Sequence, residues 1–291
     1  MVTNKRSLGT DMESWFTEKH TKTRGLSFQI TKTLHHEESP FQKMDIVETP
    51  DFGRVMLLDD VVMVTDVDEF VYHEMITHVP LYSHPNPKHV LIIGGGDGGT
   101  LREVCKHHLV HTATLIEIDS MVIEGAKRFF PRLAEGFQSP KAQVIVDDGI
   151  RFLKECTTKY DIILIDSTDP VGPATGLFRS EFYCDCFNAL NDDGILTVQS
   201  ESPYIPDLVP IIRDMNQNLR EIFPIVRMYL ASIQTYQAGL WSFQMASKRY
   251  DPITDFQESA YLNDGLKLQY YNKELHRACF ALPEFVHNII K

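Results

Sequence analysis

The spacing of apolar residues changes along the chain, and each spacing predicts a different kind of element. Over residues 28–64 short apolar runs are interrupted by proline and glycine, the pattern of strands joined by turns. Between residues 67 and 80 apolar side chains recur every four residues, which predicts a helix. Beyond residue 85 short apolar runs are each followed by a helical pattern. These runs are Val90–Ile93, Ala113–Ile116, Gln143–Val146, Ile162–Ile165 and Ile195–Val198.

Nearly continuous apolar strands that alternate with helices predict a parallel sheet covered on both faces. A helix over residues 211–223 and two further β-prone runs, 226–233 and 240–246, complete that sheet with an antiparallel pair. The sequence therefore predicts an α/β protein. We place an N-terminal β-rich domain that ends in a helix at residues 1–79, and the α/β domain at residues 80–291.

Charge and cysteine content narrow the function classes. The chain has 28 Lys and Arg against 40 Asp and Glu, a net charge of −12, which repels both nucleic-acid phosphates and anionic membrane surfaces. Its five cysteines form no C-x-x-C pair, and no run approaches the length of a membrane span. We therefore expect a cytoplasmic protein with no nucleic-acid or membrane partner.

A glycine-rich loop follows the first parallel strand and opens a helix. Gly94, Gly96 and Gly99 fit the G-x-G-x-x-G pattern of dinucleotide-binding loops, although a tight turn alone also requires such glycines. Asp97 lies within the loop, where its carboxylate would repel a pyrophosphate and attract an ammonium or sulfonium group. The loop therefore favours an S-adenosyl sulfonium ligand over NAD.

Acidic residues also follow the next strands, at the edge where open α/β sheets bind ligands. Glu117 lies where a carboxylate conventionally accepts the ribose hydroxyls, and an acid in Asp147–Gly149 with a backbone amide could bracket an adenine. Asp166 and Asp169 follow the fourth strand in a loop held open by proline and glycine. With Asp97 they form an anionic pocket suited to a polycationic amine.

No metal site is predicted. His73 and His78 are five residues apart, whereas a zinc-binding H-E-x-x-H helix needs a spacing of four. No Ser-His-Asp or Cys-His nucleophile is evident either. A sulfonium makes the carbons attached to it electrophilic, so a group could be transferred from it directly, without a covalent enzyme intermediate.

The segment Val90–Glu103, followed by Glu117–Asp119, Asp147–Gly149 and Asp166–Pro173, resembles the spermidine synthase family of polyamine aminopropyltransferases. Matches outside this region extend the resemblance over nearly the whole chain; they are Trp15–Phe16, Leu34–Glu37, Gly53–Asp59, Asp68–Met75 and Thr235–Tyr236. The resemblance implies a seven-stranded methyltransferase-like Rossmann sheet, a small N-terminal β domain and a homodimer. It further implies that the aminopropyl group of decarboxylated S-adenosylmethionine is transferred to putrescine, giving spermidine and methylthioadenosine, with the donor as co-substrate and no cofactor.

The resemblance also implies roles for individual positions. Residues expected to hold the nucleoside part of the donor are Gln42, Glu117, Asp148, Gly149 and Pro173. Asp97 and Asp166 would face the aminopropyl arm. Residues expected to line the diamine channel are Tyr72, His73, Asp166, Asp169 and Tyr236, with Asp166 as catalytic proton acceptor. His73 departs from the family pattern, because many members carry Gln there.

Three other functions remain open on the sequence alone. Methyl transfer from ordinary S-adenosylmethionine would use the same sheet, but its carboxylate would lie among Asp97, Asp166 and Asp169. An NAD-dependent oxidoreductase is opposed by Asp97. A non-catalytic polyamine-binding protein would be expected to lose Asp166, which is present.

Overall fold

The N-terminal part of the chain forms two small antiparallel sheets. The computed structural model describes residues 13–169 and 172–291, without the side chains of residues 172 and 173. Strands β1 (Ser14–Lys19) and β2 (Gly25–Ile30) form a hairpin. The second sheet has four strands in the order β3-β4-β5-β6, namely β3 (Lys32–Glu38), β4 (Lys43–Thr49), β5 (Gly53–Leu58) and β6 (Val61–Thr65).

A seven-stranded sheet forms the larger part of the fold, as predicted. Its order is β12-β13-β11-β10-β7-β8-β9, with parallel pairing from β11 to β9 and antiparallel pairing of β13 with β11 and β12. The strands are β7 (His89–Gly94), β8 (Thr112–Glu117), β9 (Ala142–Val146), β10 (Tyr160–Asp166), β11 (Leu190–Gln199), β12 (Ile225–Ser232) and β13 (Leu240–Ser247). This mixed order confirms the α/β fold class.

Helices cover both faces of the large sheet. They are α1 (Glu69–Leu81), α2 (Gly99–Lys106), α3 (Ser120–Phe129), α4 (Gly149–Glu155), α5 (Ser180–Ala189), α6 (Val209–Ile222), α7 (Glu258–Asp264), α8 (Lys273–Ala278) and α9 (Glu284–His287). Short 3₁₀ helices lie at Ala134–Gln138, Gly172–Phe178 and Gln237–Gly239. Val90 and Ile92 belong to one buried cluster, and Leu91 and Ile93 to another. Apolar side chains on both sides of a strand explain its continuous apolar run.

Helix α1 differs from the one-sided helix that its four-residue spacing predicts. It begins at Glu69, so Val67 lies before it and is 46% exposed, and every residue of the helix except Phe70 is buried. The C-terminal segment accounts for part of this burial. The Glu74 carboxylate accepts the backbone N–H groups of Gln269, Tyr270 and Tyr271 at 2.8–2.9 Å. The helix also continues across residues 79 and 80, between which the sequence analysis places the domain boundary. That boundary stays a prediction.

The carboxyl ends of β7, β8, β9 and β10 lie at the same edge of the large sheet, because these strands pair in parallel. Residues of β5 and β6 line the same cavity as the residues that follow these strands. The N-terminal strands and the carboxyl edge of the large sheet therefore meet at the predicted binding site. Within the described residues, no helix is both long and apolar enough to cross a membrane.

Candidate active site

A cavity of about 340 Å³ lies at the carboxyl edge of the parallel strands. It is lined by residues from the N-terminal strands, from α1, from the end of β11 and from the loops after β7, β8, β9, β10 and β12. The predicted site residues among its walls are Gln42, Tyr72, His73, Asp97, Glu117, Asp148, Gly149, Asp166, Asp169 and Tyr236. Pro173 also carries a predicted role, but its side chain lies outside the described residues. The structure thus brings together ten residues from seven separate parts of the sequence.

The glycine loop permits close packing of the strand ends. Gly94 has φ of +82°, and a Cβ there would lie 2.1 Å from the backbone oxygen of Asp166. At Gly96 a Cβ would lie 2.8 Å from the side chain of Glu117. Asp97 continues the loop and accepts the N–H of Gly99 through Oδ1 at 2.7 Å. The loop therefore positions one carboxylate and leaves room for two others.

Glu117, Gln42 and Asp148 form the part of the cavity predicted for a nucleoside. Glu117 is buried and accepts the N–H groups of Gly96 and Asp119, at 3.1 and 2.8 Å. Burial raises its pKa to about 7. Gln42 donates to Asp119 at 3.0 Å, and Asp148 caps α4 by accepting the N–H of Ile150 at 2.8 Å. These hydrogen bonds fix three polar side chains around one end of the cavity.

Two carboxylates and one imidazole form the centre of the site. Burial and the neighbouring Asp97 charge raise the pKa of Asp166 to about 6, against an opposite effect from His73. Burial also tends to raise the pKa of Asp97, but His73 and the Gly99 N–H outweigh it and lower that pKa. Asp166 Oδ2 is buried and has no hydrogen-bond partner among the described residues. An incoming N–H donor would satisfy this oxygen.

A second acidic group consists of Asp169 and Glu18, which line the cavity, and Glu201, which is buried next to Asp169. The sequence analysis missed Glu18 and Glu201. Burial raises the pKa values of Asp169 and Glu201, and the Asp169 charge raises that of Glu201 further. Glu18 also lines the cavity, and burial raises its pKa to about 7, with a smaller increase from Asp169. Glu201 is fully buried, and its carboxyl interacts with the side chains of Asp169 and Gln199. The group is suited to a buried cation.

Aromatic rings separate the two acidic groups from the surrounding core. The Tyr72 and Tyr236 ring centroids are 5.7 Å apart, and Trp241 lies 4.9 Å from Tyr236. Tyr236 is fixed by its hydroxyl, which donates to the Met63 carbonyl at 2.8 Å. Such rings provide apolar walls for the methylene chain of a bound amine.

Within the described residues, two groups of side chains each place three possible metal ligands within 4.8 Å of one another. In the group of His84, Asp161 and Asp193, His84 Nδ1 accepts the N–H of Asn86, so its proton is on Nε2, the atom that faces Asp193. In the group of His73, Asp97 and Asp166, the His73 Nε2 faces Asp97 at 3.2 Å as an ion-pair partner. A protonated nitrogen cannot ligate a metal. We assign no metal to either group.

Comparison with known proteins identifies relatives over the whole chain. Residues 69–258 match the model of the spermine/spermidine synthase domain, and residues 14–74 match that of the spermidine synthase tetramerisation domain. The polyamine aminopropyltransferase of Bacillus cytotoxicus is 48% identical over 281 residues, covering 96% of this chain and 100% of the relative. That of Bacillus subtilis is 46% identical over 280 residues, covering 96% and 99%.

Solved structures agree with these relatives. A spermidine synthase in complex with the transition-state analogue AdoDATO superimposes with a TM-score of 0.93 at 41% identity, covering 99% of this chain and 98% of that one. The spermidine synthase of Thermotoga maritima gives a TM-score of 0.91 at 41% identity, covering 99% and 97%.

Fold and cavity together define an α/β transferase with a methyltransferase-like sheet and an acidic pocket at its carboxyl edge. The chain belongs to the spermine/spermidine synthase family, and it is an aminopropyltransferase of polyamine biosynthesis. The resemblance derived from the sequence motifs is confirmed.

Proposed function

We propose that the enzyme transfers the aminopropyl group of decarboxylated S-adenosylmethionine to putrescine, giving spermidine and methylthioadenosine. The observation that carries this proposal is one cavity that joins a polar end, at Glu117, Gln42 and Asp148, to two groups of carboxylates. The structural relative in complex with AdoDATO, a transition-state analogue, supports it. The donor is a co-substrate, and the proposal requires no cofactor or metal.

The donor would lie with its nucleoside at Glu117, where ribose hydroxyls meet a buried carboxylate. Gln42 and Asp148 would lie at the same end, and the backbone N–H of Gly149 would face the adenine together with Asp148. Asp97 would hold the terminal ammonium of the aminopropyl arm. This arrangement leaves the carbon next to the sulfonium close to Asp166.

The diamine would lie between the two groups of carboxylates. The distal ammonium would bind at Asp169 and Glu18, and the other amine would face Asp166 between Tyr72 and Tyr236. The amine nitrogen attacks the aminopropyl carbon, and the carbon–sulfur bond breaks with its electron pair on sulfur. Asp166 takes the proton lost by nitrogen. An alkylammonium has a pKa near 10.4, so the sulfonium charge and the desolvated cavity also favour the neutral nucleophile.

Product analysis separates this reaction from methyl transfer. Purified enzyme is incubated with decarboxylated or ordinary S-adenosylmethionine and with putrescine, cadaverine, spermidine or butylamine, and the products are identified by mass. We expect spermidine and methylthioadenosine from the decarboxylated donor and putrescine. A methylated amine from the ordinary donor, or no transfer from either, would refute the proposal.

Replacing Asp97 by Asn is expected to weaken binding of the decarboxylated donor by about tenfold or more, because a charge-assisted hydrogen bond to its terminal ammonium is lost. Methylthioadenosine lacks that arm and should bind within about twofold of the parent enzyme. Isothermal titration of both ligands measures the difference. Equal losses for the two ligands would show that Asp97 does not bind the arm.

We also propose that the enzyme is a homodimer in the cytoplasm. The match of residues 14–74 to a tetramerisation domain supports self-association of this chain. Trp15, 59% exposed on β1, lies in that region. Sedimentation at several protein concentrations distinguishes a dimer from a tetramer.

A further inference from the structure

His73 lies between two carboxylates, and charged residues that do not line the cavity hold it there. Glu69, one turn earlier on α1, places Oε2 2.6 Å from His73 Nδ1. Arg102 on α2 donates to both oxygens of Glu69, at 2.9 Å each. On the cavity side, His73 Nε2 lies 3.2 Å from Asp97 Oδ1. Both ring nitrogens therefore face acceptors.

This geometry favours one protonation state of the ring. Neutral imidazole has a single N–H, whereas imidazolium donates from both nitrogens. Burial lowers the pKa of His73, but Asp97 and Glu69 outweigh burial and raise it to about 10. The ring is also confined, because a Cβ at Gly99 would lie 2.2 Å from His73 Cε1. The two flanking carboxylates therefore favour a positively charged His73 beside Asp97.

We propose that Glu69 and Arg102 are positioning residues that hold His73 as a cation, and that this charge keeps Asp166 ionised before the substrates bind. The inference rests on the proposed function, in which Asp166 must accept a proton. Two buried carboxylates side by side otherwise share a proton, because the first charge opposes the second. With His73 cationic, Asp97 and Asp166 can both be ionised. The charges of His73, Asp97 and Asp166 then sum to −1, which would balance the charge of one bound ammonium.

Groups from several elements face this centre. They are Glu69 and Tyr72 from α1, Asp97 from the loop after β7, Arg102 from α2 through Glu69, Glu117 at the end of β8, Asp166 at the end of β10, and Tyr236 before β13. His73 lowers the pKa of Asp166, whereas burial and Asp97 raise it. Removal of the His73 cation therefore raises the pKa of Asp166.

The hydrogen bonds continue beyond Arg102 without forming a path for protons. Arg102 Nε donates to Glu103 at 2.8 Å, and Glu103 faces His78 at 3.0 Å, which in turn contacts His107. Arginine does not lose its proton in proteins, so the series cannot pass one through Arg102. These hydrogen bonds instead hold the charged side chains of Arg102 and Glu103 in place.

Glu69→Gln tests the proposal, with Glu103→Gln as the matched control. Each substitution removes one buried carboxylate from Arg102, but of these two glutamates only Glu69 contacts His73. The first measurement is an NMR titration of the histidine ring carbons without substrates, in which the His73 signal is the one absent from His73→Gln. We expect His73 to be cationic up to pH 8 in the parent enzyme and in Glu103→Gln. In Glu69→Gln its pKa should be about one unit lower or more.

The second measurement is the pH profile of kcat/KM for the diamine. Activity requires ionised Asp166 and is lost as pH falls through its pKa, so a raised pKa moves the acid limb to higher pH. We expect an upward shift of about one unit or more in His73→Gln, where the neutral amide still donates to one carboxylate. Glu69→Gln should shift the limb in the same direction, and Glu103→Gln should not. Affinity for methylthioadenosine should be unchanged in all three.

A parent His73 that is neutral at pH 7 would overturn the proposal. The proposal would also be overturned if the acid limb of the kcat/KM profile did not move in His73→Gln. The same holds if the limb moved equally in Glu69→Gln and Glu103→Gln. The titration uses no substrate, so it decides the protonation of His73 even if no aminopropyl transfer is detected. Failure of the proposed function would appear separately, as the absence of spermidine in the product analysis.

Discussion

Asp166→Asn is expected to lower kcat for aminopropyl transfer by about 100-fold or more, while methylthioadenosine binds nearly as well as to the parent enzyme. General-base contributions are about 10² to 10⁴ in rate. Asparagine has the same size and can still accept a hydrogen bond, but it cannot take the proton from the attacking amine. Single-turnover reactions with mass detection measure the rate, and isothermal titration measures binding.

The matched control for this variant is Asp214→Asn, an identical change at an exposed position on α6. Its turnover should equal that of the parent. If Asp166→Asn retained more than about a tenth of the parental rate, the proton would have to go to another acceptor. If it lost methylthioadenosine binding as well, the effect would be structural, because that ligand has no amine to be deprotonated.

Much of the large sheet could be predicted because burial on both faces leaves a local signal. The apolar runs of β7 and β10 are buried completely, and they were identified from sequence. The same pattern marks β9, yet Val144 and Ile145 are 38% and 39% exposed. This strand lies at the sheet edge. An apolar run indicates a strand but does not reveal what covers it.

Elements that depend on distant partners were harder to predict. The four-residue spacing in α1 predicts one buried face, but contacts such as that of Glu74 with the C-terminal segment bury the other side. Strand β1 was not predicted, since Ser14–Lys19 contains no clear apolar alternation. Its pairing with β2 is a tertiary property. Glu18 on β1 was therefore missed as a cavity residue.

The site residues also divide into those with a local sequence signal and those that depend on distant partners. Asp97, Glu117 and Asp166 could be found because acids after parallel strands meet at one edge. Glu201 follows β11 and obeys the same rule, so the sequence did contain a signal for it. Glu69 lies four residues before His73 on α1, so helical spacing could have indicated that contact, but nothing in the sequence indicates that Arg102 of another helix holds Glu69. Spacing within one element cannot reveal a contact that two elements create.

Asp169→Asn is expected to raise the KM for putrescine by about tenfold or more, with little change in the rate for butylamine. A hydrogen bond to a charged group contributes about 1.5–3 kcal/mol, and each 1.4 kcal/mol corresponds to about a tenfold change. Putrescine has a distal ammonium to bind at Asp169 and Glu18, whereas butylamine ends in a methyl group. Butylamine should therefore be a poor substrate of the parent enzyme and should not become much worse in the variant.

The pH dependence provides the internal control for this prediction. In the parent enzyme the KM for putrescine should rise as pH approaches the pKa of the distal ammonium, because the acidic group binds the charged form. In Asp169→Asn this rise should be smaller, since one of the carboxylates no longer contributes. Steady-state kinetics from pH 6 to 10 with both amines measure the effect. Equal losses for putrescine and butylamine, or butylamine reacting as well as putrescine in the parent enzyme, would show that the distal ammonium does not bind at these carboxylates.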